Sequence, residues 1–247
     1  MKALILAAGL GTRLKPWTLN HPKALAKVNG RPLLQHTIEY LQAAGIFEVV
    51  VNVHHFSDQV IGALEKNNGW GSQFEISDET NLLMDTGGAI VKAAQYGYFK
   101  HSDHFVIVNA DVLTDMSLRD LIRIHKESGQ LATLAVSDRA STRRLLFDRS
   151  SGLLAGWENI ATGEMKSTRP VAGTLAKAFS GVHCLQTDII EQITKINAFN
   201  IREPFSIIDA YLLLSHTDPI GYYDHTGAKF MDTGTPERLA AAAAVFK

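Results

Sequence analysis

The chain has 247 residues, of which 46% are hydrophobic, and a formal net charge of −1. This length and apolar content suffice for one large domain with a sizeable core, spanning residues 1–247. The near-neutral charge argues against a nucleic-acid binder, which would be expected to carry basic patches. The single cysteine, Cys184, cannot form an intramolecular disulfide, and its apolar surroundings in the sequence predict a buried, inert thiol.

No targeting or membrane segment is expected. The N-terminal apolar run is short and ends at a glycine turn, unlike a signal peptide. No apolar stretch approaches the roughly 20 residues that a transmembrane helix needs, and the alanine-rich run at 239–246 predicts only the end of a helix. We therefore expect a cytoplasmic protein that has neither a membrane nor a nucleic acid as its partner.

The first half of the chain alternates apolar runs with helical patterns. An apolar run at 3–8 predicts a buried strand that leads into a glycine loop. A turn at 28–32 precedes a predicted helix at 33–44, which Gly45 would end. Further strands are predicted at 48–53, 74–77, 105–108 and 131–136. The helices between these strands are predicted to be capped by Ser57, to follow the segment 85–88, and to be capped by Asp115 or Ser117.

Strands that alternate with helices in this way are typical of βαβ units. They predict an α/β fold, a Rossmann-like three-layer sandwich with a central, mostly parallel mixed sheet covered on both faces. The pattern changes after residue 137. Shorter strands are predicted at 143–148, 152–157, 179–185 and 220–223, with helices near 188–194 and 207–214. The polar stretch 162–177 is predicted to be an irregular excursion, and Pro236 suits the first turn of the last helix.

The loop after the first strand reads G-L-G-T-R-L-K-P over residues 9–16, and Lys23 lies just behind it. Glycine permits positive φ and a close approach of the backbone to a ligand, and successive N–H groups of such a loop can converge on phosphate oxygens. Arg13 and Lys23 would add positive charge there. A dinucleotide fingerprint would need a third glycine where Leu14 stands, and P-loop spacing is absent. The glycines alone would equally fit a tight turn.

Two aspartates follow apolar runs at the ends of predicted strands. Asp111 comes after the strand at 105–108, and Asp232 lies in the segment F-M-D-T-G-T over residues 230–235. Ligands of such sheets bind beyond the carboxyl ends of the strands. Carboxylate oxygens suit Mg²⁺, which usually takes one or two carboxylates together with phosphates and water. For each aspartate alone, a helix cap or a turn is the alternative.

The string G-x-G-T-R-L-x-P at 9–16, followed by P-K-A-L at 22–25, resembles the signature of the sugar-nucleotidyltransferase family. Members of that family join a nucleoside triphosphate to a sugar 1-phosphate and release pyrophosphate. The resemblance implies that Arg13 binds the triphosphate and that Lys23 lies near the α-phosphate. It also implies that Asp111 and Asp232 share a Mg²⁺ ion. The catalytic residues implied by the resemblance are Arg13, Lys23 and Asp111.

The same resemblance implies which residues contact the nucleotide. The segment Thr86-Gly87-Gly88 resembles a family segment near the base and sugar, with Asp85 in place of the commoner Glu. The implied nucleotide-binding residues are Ala8, Gly9, Gly11, Thr12, Arg13, Lys23, Thr86, Gly87, Gly88 and Asn109. Nucleotide binding would then belong to residues 1–137, whereas residues 138–247 would bind the sugar phosphate and carry the C-terminal helix.

Within the family, the short chain, the D-T-G-G segment at 85–88 and the F-S-G-V segment at 179–182 most resemble the N-acetylmuramate 1-phosphate uridylyltransferases, which implies UTP as the donor. The alternatives are a mannose- or heptose-1-phosphate guanylyltransferase, a phosphocholine cytidylyltransferase and a non-catalytic nucleotide-sugar-binding regulator. A Glu-Lys-Pro segment of longer members, whose lysine holds the sugar phosphate, has no counterpart at 157–160. Lys166 and Lys177 are the candidates to replace that lysine. A homo-oligomer is compatible with the sequence.

Several other residues admit both a structural and a functional interpretation. An arginine group after the fifth predicted strand would suit an anionic sugar or form a solvated strand edge: Arg139, Arg143, Arg144 and Arg149. Trp157 would stack on a sugar or pack in the core. The histidines lack metal-site spacing such as H-E-x-x-H, so core or surface positions are expected for His54, His55, His101 and His104.

Overall fold

The computed structural model describes residues 1–196, 199 and 202–246. The strands of the first half are β1 (Lys2–Leu6), β2 (Lys27–Val28), β3 (Arg31–Pro32), β4 (Glu48–Val53), β5 (Gln73–Asp78), β6 (His104–Asn109), β7 (Val112–Thr114) and β8 (Ala132–Ser137). Those of the second half are β9 (Arg143–Asp148), β10 (Leu154–Asn159), β11 (Glu164–Ser167), β12 (Thr174–Gln186), β13 (Ile220–Asp224) and β14 (Phe230–Asp232). The helices are α1 (Leu33–Ala43), α2 (Ser57–Lys66), α3 (Asp85–Gln95), α4 (Leu118–Ser128), α5 (Ile189–Lys195), α6 (Ile207–Leu214) and α7 (Pro236–Val245).

The central sheet is mixed, as predicted. Its main path runs β11-β10-β9-β12-β6-β1-β4-β5, and β8 pairs with both β12 and β13. The segment β6-β1-β4-β5 is parallel, and β12 joins it to the antiparallel strands of the second half. The inner strands β1, β4 and β6 are continuous apolar runs because both of their faces are buried. Because β1, β4 and β6 run parallel to one another, their carboxyl ends lie at the same edge of the sheet.

Helices cover both faces of this sheet, which confirms the three-layer prediction. Ile90 of α3 and Tyr211 of α6 pack with Leu4 on one face, whereas Leu34 of α1 and Leu121 of α4 pack with the neighbouring Ile5 on the other. Adjacent residues of one strand point to opposite faces, so β1 contributes to both cores. The helices in residues 1–196 and 202–246 lack the combination of length and apolarity that crossing a bilayer requires.

The second half is more regular than its sequence predicts. The irregular excursion predicted at 162–177 is wrong, because β11 forms at Glu164–Ser167 and β12 already begins at Thr174. The β11 strand pairs with β10 at the edge of the sheet, and all four of its residues are exposed. An edge strand that buries neither face carries no apolar alternation, and the polar sequence therefore concealed it.

Four local predictions about helix starts have different outcomes. Ser57 does not cap α2, because Phe56 occupies the cap position with φ 55° and Ser57 is already helical. The segment 85–88 does not precede α3 but forms its first turn. Ser117 does cap α4, since its hydroxyl accepts a hydrogen bond from the amide of Asp120. Pro236 begins α7 as predicted, after a Thr235 cap.

The lone thiol has the predicted character. Cys184 is fully buried on β12, and burial raises the pKa of its thiol to about 12. A thiol with so high a pKa carries almost no thiolate at neutral pH and is a poor nucleophile. The cysteine therefore belongs to the core.

Candidate active site

The carboxyl ends of β1, β4 and β6 open onto a cavity of about 610 Å³. Most of the residues that the sequence singles out line this cavity: Ala8, Gly9, Gly11, Thr12, Arg13, Lys23, Thr86, Asn109 and Asp111. Pro204 and Gly234 reach it from the second half of the chain. The motifs that are scattered along the sequence are thus brought together in one cleft, the ordinary location of a ligand site in such a sheet.

The glycine loop packs directly against Lys23. Gly11 has φ +60°, and a Cβ on it would lie 2.9 Å from Cγ2 of Thr18 and 3.0 Å from Cβ of Lys23. The Thr18 hydroxyl also donates a hydrogen bond to the Gly11 carbonyl at 3.0 Å. A side chain at position 11 would therefore meet both a strained backbone and a steric clash. Glycine at this position keeps the Lys23 stem close under the loop.

Lys23 and Asp111 form the tightest ion pair of the cavity. The Lys23 Nζ donates to Oδ2 of Asp111, and the two side chains are only 11% and 29% exposed. Asp111 is held in place from the sheet side, because the amide of Ala110 donates to the Leu6 carbonyl at 3.0 Å. The carboxylate at the end of β6 therefore already has a fixed cation beside it.

A two-stranded sheet brings Asp232 to Asp111. Strand β14 pairs antiparallel with β7, and Asp232 stands opposite Val112, the neighbour of Asp111. The amide and the hydroxyl of Thr233 both donate to the Asp111 carbonyl, at 2.9 and 2.8 Å. These bonds join positions 122 residues apart in the chain. The two aspartates singled out in the sequence therefore belong to one site.

Asp232 has looser partners than Asp111. Its Oδ2 lies 3.9 Å from Nη2 of Arg13 and 3.5 Å from Nη1 of Arg238. Its Oδ1 is buried and has no hydrogen-bond partner among the described residues. A Cβ on Gly234 would lie 2.6 Å from Nη2 of Arg13 and 2.7 Å from Oδ1 of Asp232. The guanidinium and the carboxylate therefore lie directly against Gly234, and a side chain there would displace them.

These two carboxylates fit a hard divalent cation. The described residues include no group of three or more His, Cys, Asp or Glu side chains placed to hold a metal ion. Mg²⁺ does not need such a group, since it is commonly held by one or two carboxylates plus substrate phosphates and water. The unpartnered buried Oδ1 of Asp232 is an oxygen that such an ion would satisfy. Asp111 and Asp232 are thus the residues that could hold it.

A buried polar pair beside the loop was missed in the sequence. Oδ1 of Asn52, at the end of β4, accepts hydrogen bonds from the amides of Ala7 and Ala8 at 2.6 and 3.1 Å. Its Nδ2 donates to Oε1 of Glu79 at 3.0 Å, and Oε2 of Glu79 accepts from the amide of Met84 at 3.0 Å. Burial raises the pKa of the Glu79 carboxyl, against the lowering effect of these hydrogen bonds. The available signal was a polar residue, Asn52, inside an otherwise apolar strand and a second polar residue, Glu79, just after the next strand.

The Gly87-Gly88 pair lies behind the cavity wall. The amide of Gly87 donates to the Phe205 carbonyl at 2.9 Å, and a Cβ on Gly87 would lie 2.3 Å from the Phe205 ring. Neither glycine lines the cavity, whereas Thr86 does. The Thr86 hydroxyl accepts a hydrogen bond from the amide of Ile207 at 3.0 Å. In this structure the two glycines serve the close packing of α3 against the segment before α6.

The four arginines after β8 have separate surroundings. Arg144 pairs with Glu158 at 2.7 Å, Arg149 donates to the Thr174 carbonyl at 3.3 Å, and Arg143 is exposed. Arg139 donates to the Phe179 carbonyl at 2.6 Å, and its guanidinium lies 4.7 Å from the centroid of the Phe230 ring.

Arg139 thereby reaches the edge of the aspartate pair. Phe230 and Asp232 are two residues apart on β14 and share a face of that strand. In agreement with this proximity, the Asp232 carboxylate acts to raise the pKa of the Arg139 guanidinium, although burial lowers it more. Of the four arginines, Arg139 is the one that contacts the strand carrying Asp232, although it does not line the cavity.

The two lysines proposed as replacements for the family lysine are both engaged elsewhere. Lys166 pairs with Asp209 at 2.9 Å and lies 5.5 Å from the ring centroid of Trp157. Lys177 is nearly buried between Asp138 at 2.7 Å and Asp224 at 2.6 Å. Neither lysine lines the cavity.

Trp157 and the histidines have mainly structural contacts. Trp157 is partly buried and packs against the core. His54 shares a 2.7 Å hydrogen bond with the Glu79 carbonyl, and His104 shares one of 3.1 Å with His125. Burial lowers the pKa of His125 to about 4, so that side chain is neutral at physiological pH. These contacts agree with the expectation of core and surface histidines.

The chain matches one known protein family over nearly its whole length. A family model described as nucleotidyl transferase matches residues 2–246. A mannose-1-phosphate guanyltransferase of Emericella nidulans is 37% identical over 138 residues, which is 56% of this chain and 37% of that protein. The enzyme of the same name from Pichia angusta is 30% identical over 243 residues, which is 96% of this chain and 62% of that protein.

Solved structures show the same fold. HddC from Yersinia pseudotuberculosis, crystallised with GMP-PN, aligns with a TM-score of 0.75 at 24% identity, covering 100% of this chain and 99% of that one. A UDP-glucose pyrophosphorylase complexed with UDP-glucose aligns with a TM-score of 0.75 at 19% identity, covering 99% and 97%. The chain spans between about a third and two thirds of the length of the curated relatives named above.

Proposed function

This chain belongs to the nucleotidyl transferase family, and we propose that it transfers a nucleotidyl group from a nucleoside triphosphate to a sugar 1-phosphate. The observation that carries the proposal is the pairing of β7 with β14, which sets Asp111 and Asp232 side by side at the mouth of the glycine loop. Two cations, Lys23 and Arg13, already contact these carboxylates. A binding module would not need this combination of opposed charges around an open cleft.

The reaction follows from the charges of its reactants. An oxygen of the sugar phosphate attacks the α-phosphorus, the new P–O bond forms in line with the α–β bridging bond, and that bridging bond breaks as pyrophosphate leaves. Both reactants are anionic, so the protein has to hold them together and neutralise their charge. Little general-base assistance is required, since a phosphate dianion is already nucleophilic at neutral pH.

The residues of the cleft divide this work. In this proposal Lys23 contacts the α-phosphate as a point charge, and Arg13 holds the outer phosphates with its planar fork. The loop backbone at Gly9 and Gly11 gives the phosphates room for close approach. Asp111 and Asp232 would hold a Mg²⁺ ion, which would supply further charge neutralisation at the reacting phosphate.

The second half of the chain supplies the acceptor side of the cleft in this proposal. Nucleotide binding is assigned to residues 1–137, which contribute the loop and Asp111, and sugar-phosphate binding to residues 138–247. Of the cations of that half near Asp232, Arg238 lies 3.5 Å away but is 55% exposed, whereas Arg139 is half-buried and held by the Phe179 carbonyl and the Phe230 ring. Arg139 is therefore the first candidate to meet the acceptor phosphate, in the place of the family lysine that this chain lacks.

Among the possible pairs of donor and acceptor, GTP with mannose 1-phosphate ranks first. The curated relatives at 37% and 30% identity are mannose-1-phosphate guanyltransferases. The sequence favours UTP with N-acetylmuramate 1-phosphate, partly on the D-T-G-G segment. Because Gly87 and Gly88 pack against Phe205 and do not line the cavity, that segment is weak support for a choice of base. UTP with N-acetylmuramate 1-phosphate is the second pair to test.

The decisive experiment is a matrix of pyrophosphate release. GTP, UTP, CTP and dTTP would each be combined with mannose 1-phosphate, a heptose 1-phosphate, N-acetylmuramate 1-phosphate, glucose 1-phosphate and phosphocholine, with and without Mg²⁺. One strong Mg²⁺-dependent combination is expected, with GTP and mannose 1-phosphate ranking first. Tight triphosphate binding without release in any combination would overturn the enzymatic proposal and favour a nucleotide-binding regulator.

A further inference from the structure

The Asn52–Glu79 pair connects two segments that both line the cavity. Asn52 is 3% exposed and Glu79 is 0% exposed, although each has an atom at the cavity wall. On one side Asn52 accepts hydrogen bonds from the amides of Ala7 and Ala8. On the other side Glu79 accepts one from the amide of Met84, just before α3. The pair therefore bridges the loop after β1 and the segment after β5.

Every bond in this bridge has a defined direction. The Asn52 carbonyl oxygen accepts twice from the loop, its Nδ2 donates to one carboxylate oxygen of Glu79, and the other carboxylate oxygen accepts from Met84. Glu79 must accept on both oxygens, and Asn52 must accept on one atom and donate on the other. An amide at position 79 or a carboxylate at position 52 would each put two like groups face to face.

The bridge also decides which groups the loop can offer to a ligand. A trans peptide places the carbonyl of residue 7 opposite to the amide of Ala8. Since the Ala8 amide points at Asn52, the Ala7 carbonyl points away from it. The hydrogen bonds described for the chain include none to the Ala7 or Ala8 carbonyls. The amides of Ala7 and Ala8 are thus bonded to Asn52, and the carbonyls of the same two residues are available to accept hydrogen bonds from a ligand.

We propose that Asn52 and Glu79 are positioning residues for the nucleotide loop: they fix the Ala7–Ala8 backbone before the nucleotide arrives. This inference rests on the proposed function for the identity of the ligand, but its loop geometry can be tested without any turnover. A loop that is ordered before binding raises affinity, because binding then costs less conformational entropy. Loss of the bridge should therefore weaken nucleotide binding before it changes the chemical step.

The test uses two single variants and their combination. Glu79→Gln puts an amide donor against either Asn52 or the Met84 amide, and Asn52→Asp puts two carboxylates in contact. The double variant Asn52→Asp/Glu79→Gln restores every bond, because the new Gln donates to the new Asp and accepts from the Met84 amide. It also keeps one negative charge in the pair, which moves from position 79 to position 52. Glu75→Gln is the matched control, since Glu75 lies on β5, the strand that leads to Glu79, but is exposed.

The readouts are the dissociation constants of Mg²⁺ complexes of GTP and UTP by calorimetry, together with the thermal midpoint of each variant. We expect each single variant to bind the preferred nucleotide about tenfold more weakly, which corresponds to about 1.4 kcal/mol. The double variant should return to within about threefold of the unsubstituted protein, and Glu75→Gln should not change binding. Unchanged affinity in both single variants, or a double variant as weak as the singles, would overturn the proposal.

A second measurement needs no variant. Amide hydrogen exchange in the unsubstituted protein should show Ala7 and Ala8 protected before nucleotide is added, with little further protection afterwards. If both amides exchange freely until nucleotide binds, the loop is not positioned in advance and the inference fails. Should GTP, UTP, CTP and dTTP all fail to bind, the proposed function fails, whereas the exchange data still decide whether the bridge holds the loop.

Discussion

The two aspartates of the site lie side by side but have different neighbours. Asp111 is bonded to Lys23, whose side chain is only 11% exposed. Asp232 faces Arg13 and Arg238 at 3.9 and 3.5 Å, and these side chains are 64% and 55% exposed. One carboxylate therefore has a sheltered partner, and the other has two exposed partners at longer distances.

This difference indicates a division between a preformed and an adaptable half of the site. A sheltered pair holds its geometry, and removing one partner leaves an uncompensated charge. Exposed ion pairs contribute little by themselves and are easily rearranged. In the proposed reaction, the Lys23–Asp111 pair would define the position of the reacting phosphate, and the exposed arginines around Asp232 would turn toward the incoming triphosphate.

The largest effect is expected from Asp111→Asn. The substitution keeps the size and the backbone contacts of the residue but removes a proposed metal ligand, so turnover should fall by about a hundredfold or more, because several kcal/mol of charge stabilisation is lost. Pyrophosphate release measured against Mg²⁺ concentration gives the result. Asp188→Asn is the control, since Asp188 is exposed and its side chain makes no capping bond. Near-full Mg²⁺-dependent activity of Asp111→Asn would refute the metal assignment.

Lys23→Met should have the next largest effect, and in two opposite directions. Loss of the cation near the reacting phosphate should lower kcat by about a hundredfold. Without nucleotide, however, Asp111 would lose the cation that competes with a metal ion, so binding of Mn²⁺ should tighten. Calorimetry of Mn²⁺ binding separates the two effects, with Lys126→Met on the exposed face of α4 as the control. Weaker Mn²⁺ binding in Lys23→Met would contradict the preformed pair.

Arg13→Lys should show a smaller effect, concentrated in KM. Lysine keeps the charge but not the planar fork that can bond a phosphate through two donors. We expect the KM for the triphosphate to rise about tenfold with a lesser change in kcat. Arg31→Lys is a matched control, because Arg31 also pairs with one carboxylate, Glu39 at 2.6 Å, and lies outside the cavity lining. Equal KM values for Arg13→Lys and the control would remove Arg13 from the triphosphate site.

Arg238→Gln should have the smallest effect of the series. Its pair with Asp232 is exposed and long, and such pairs contribute less than about 1 kcal/mol, which limits the expected loss in kcat/KM to about fivefold. The remaining contribution should shrink as salt is raised. Steady-state kinetics at low and high ionic strength would show this. A loss as large as that of Lys23→Met would mean that the two carboxylates do not differ as described.

The sequence was a good guide where function and structure use the same local pattern. The glycine loop, Lys23 and Asp111 were predictable because each follows directly from a strand end or a fixed spacing. Asp232 was predictable as a site residue through its segment and the family resemblance. Its position beside Asp111 depends on β7, a three-residue strand with too few residues to show a period.

Other features escaped because their signal lies in tertiary contacts. Asn52 and Glu79 are single polar residues, and only the fold shows that they bond to each other and to the loop. The polar edge strand β11 buries neither face, so its sequence is that of a loop. Conversely, Gly87 and Gly88 stand out as a motif in the sequence, but in the fold they allow Phe205 and Met84 to pack closely against α3.

The pairing of β7 with β14 has a consequence for the order in which the chain is made and folded. During synthesis the glycine loop, Lys23 and Asp111 leave the ribosome long before residue 232 exists, so the nascent chain cannot assemble the two carboxylates. Closing a loop of this length also costs entropy that short-range contacts do not. The chain can thus bring the two aspartates together only after residue 232 has been made, when the parallel strands that support Asp111 have already been synthesised.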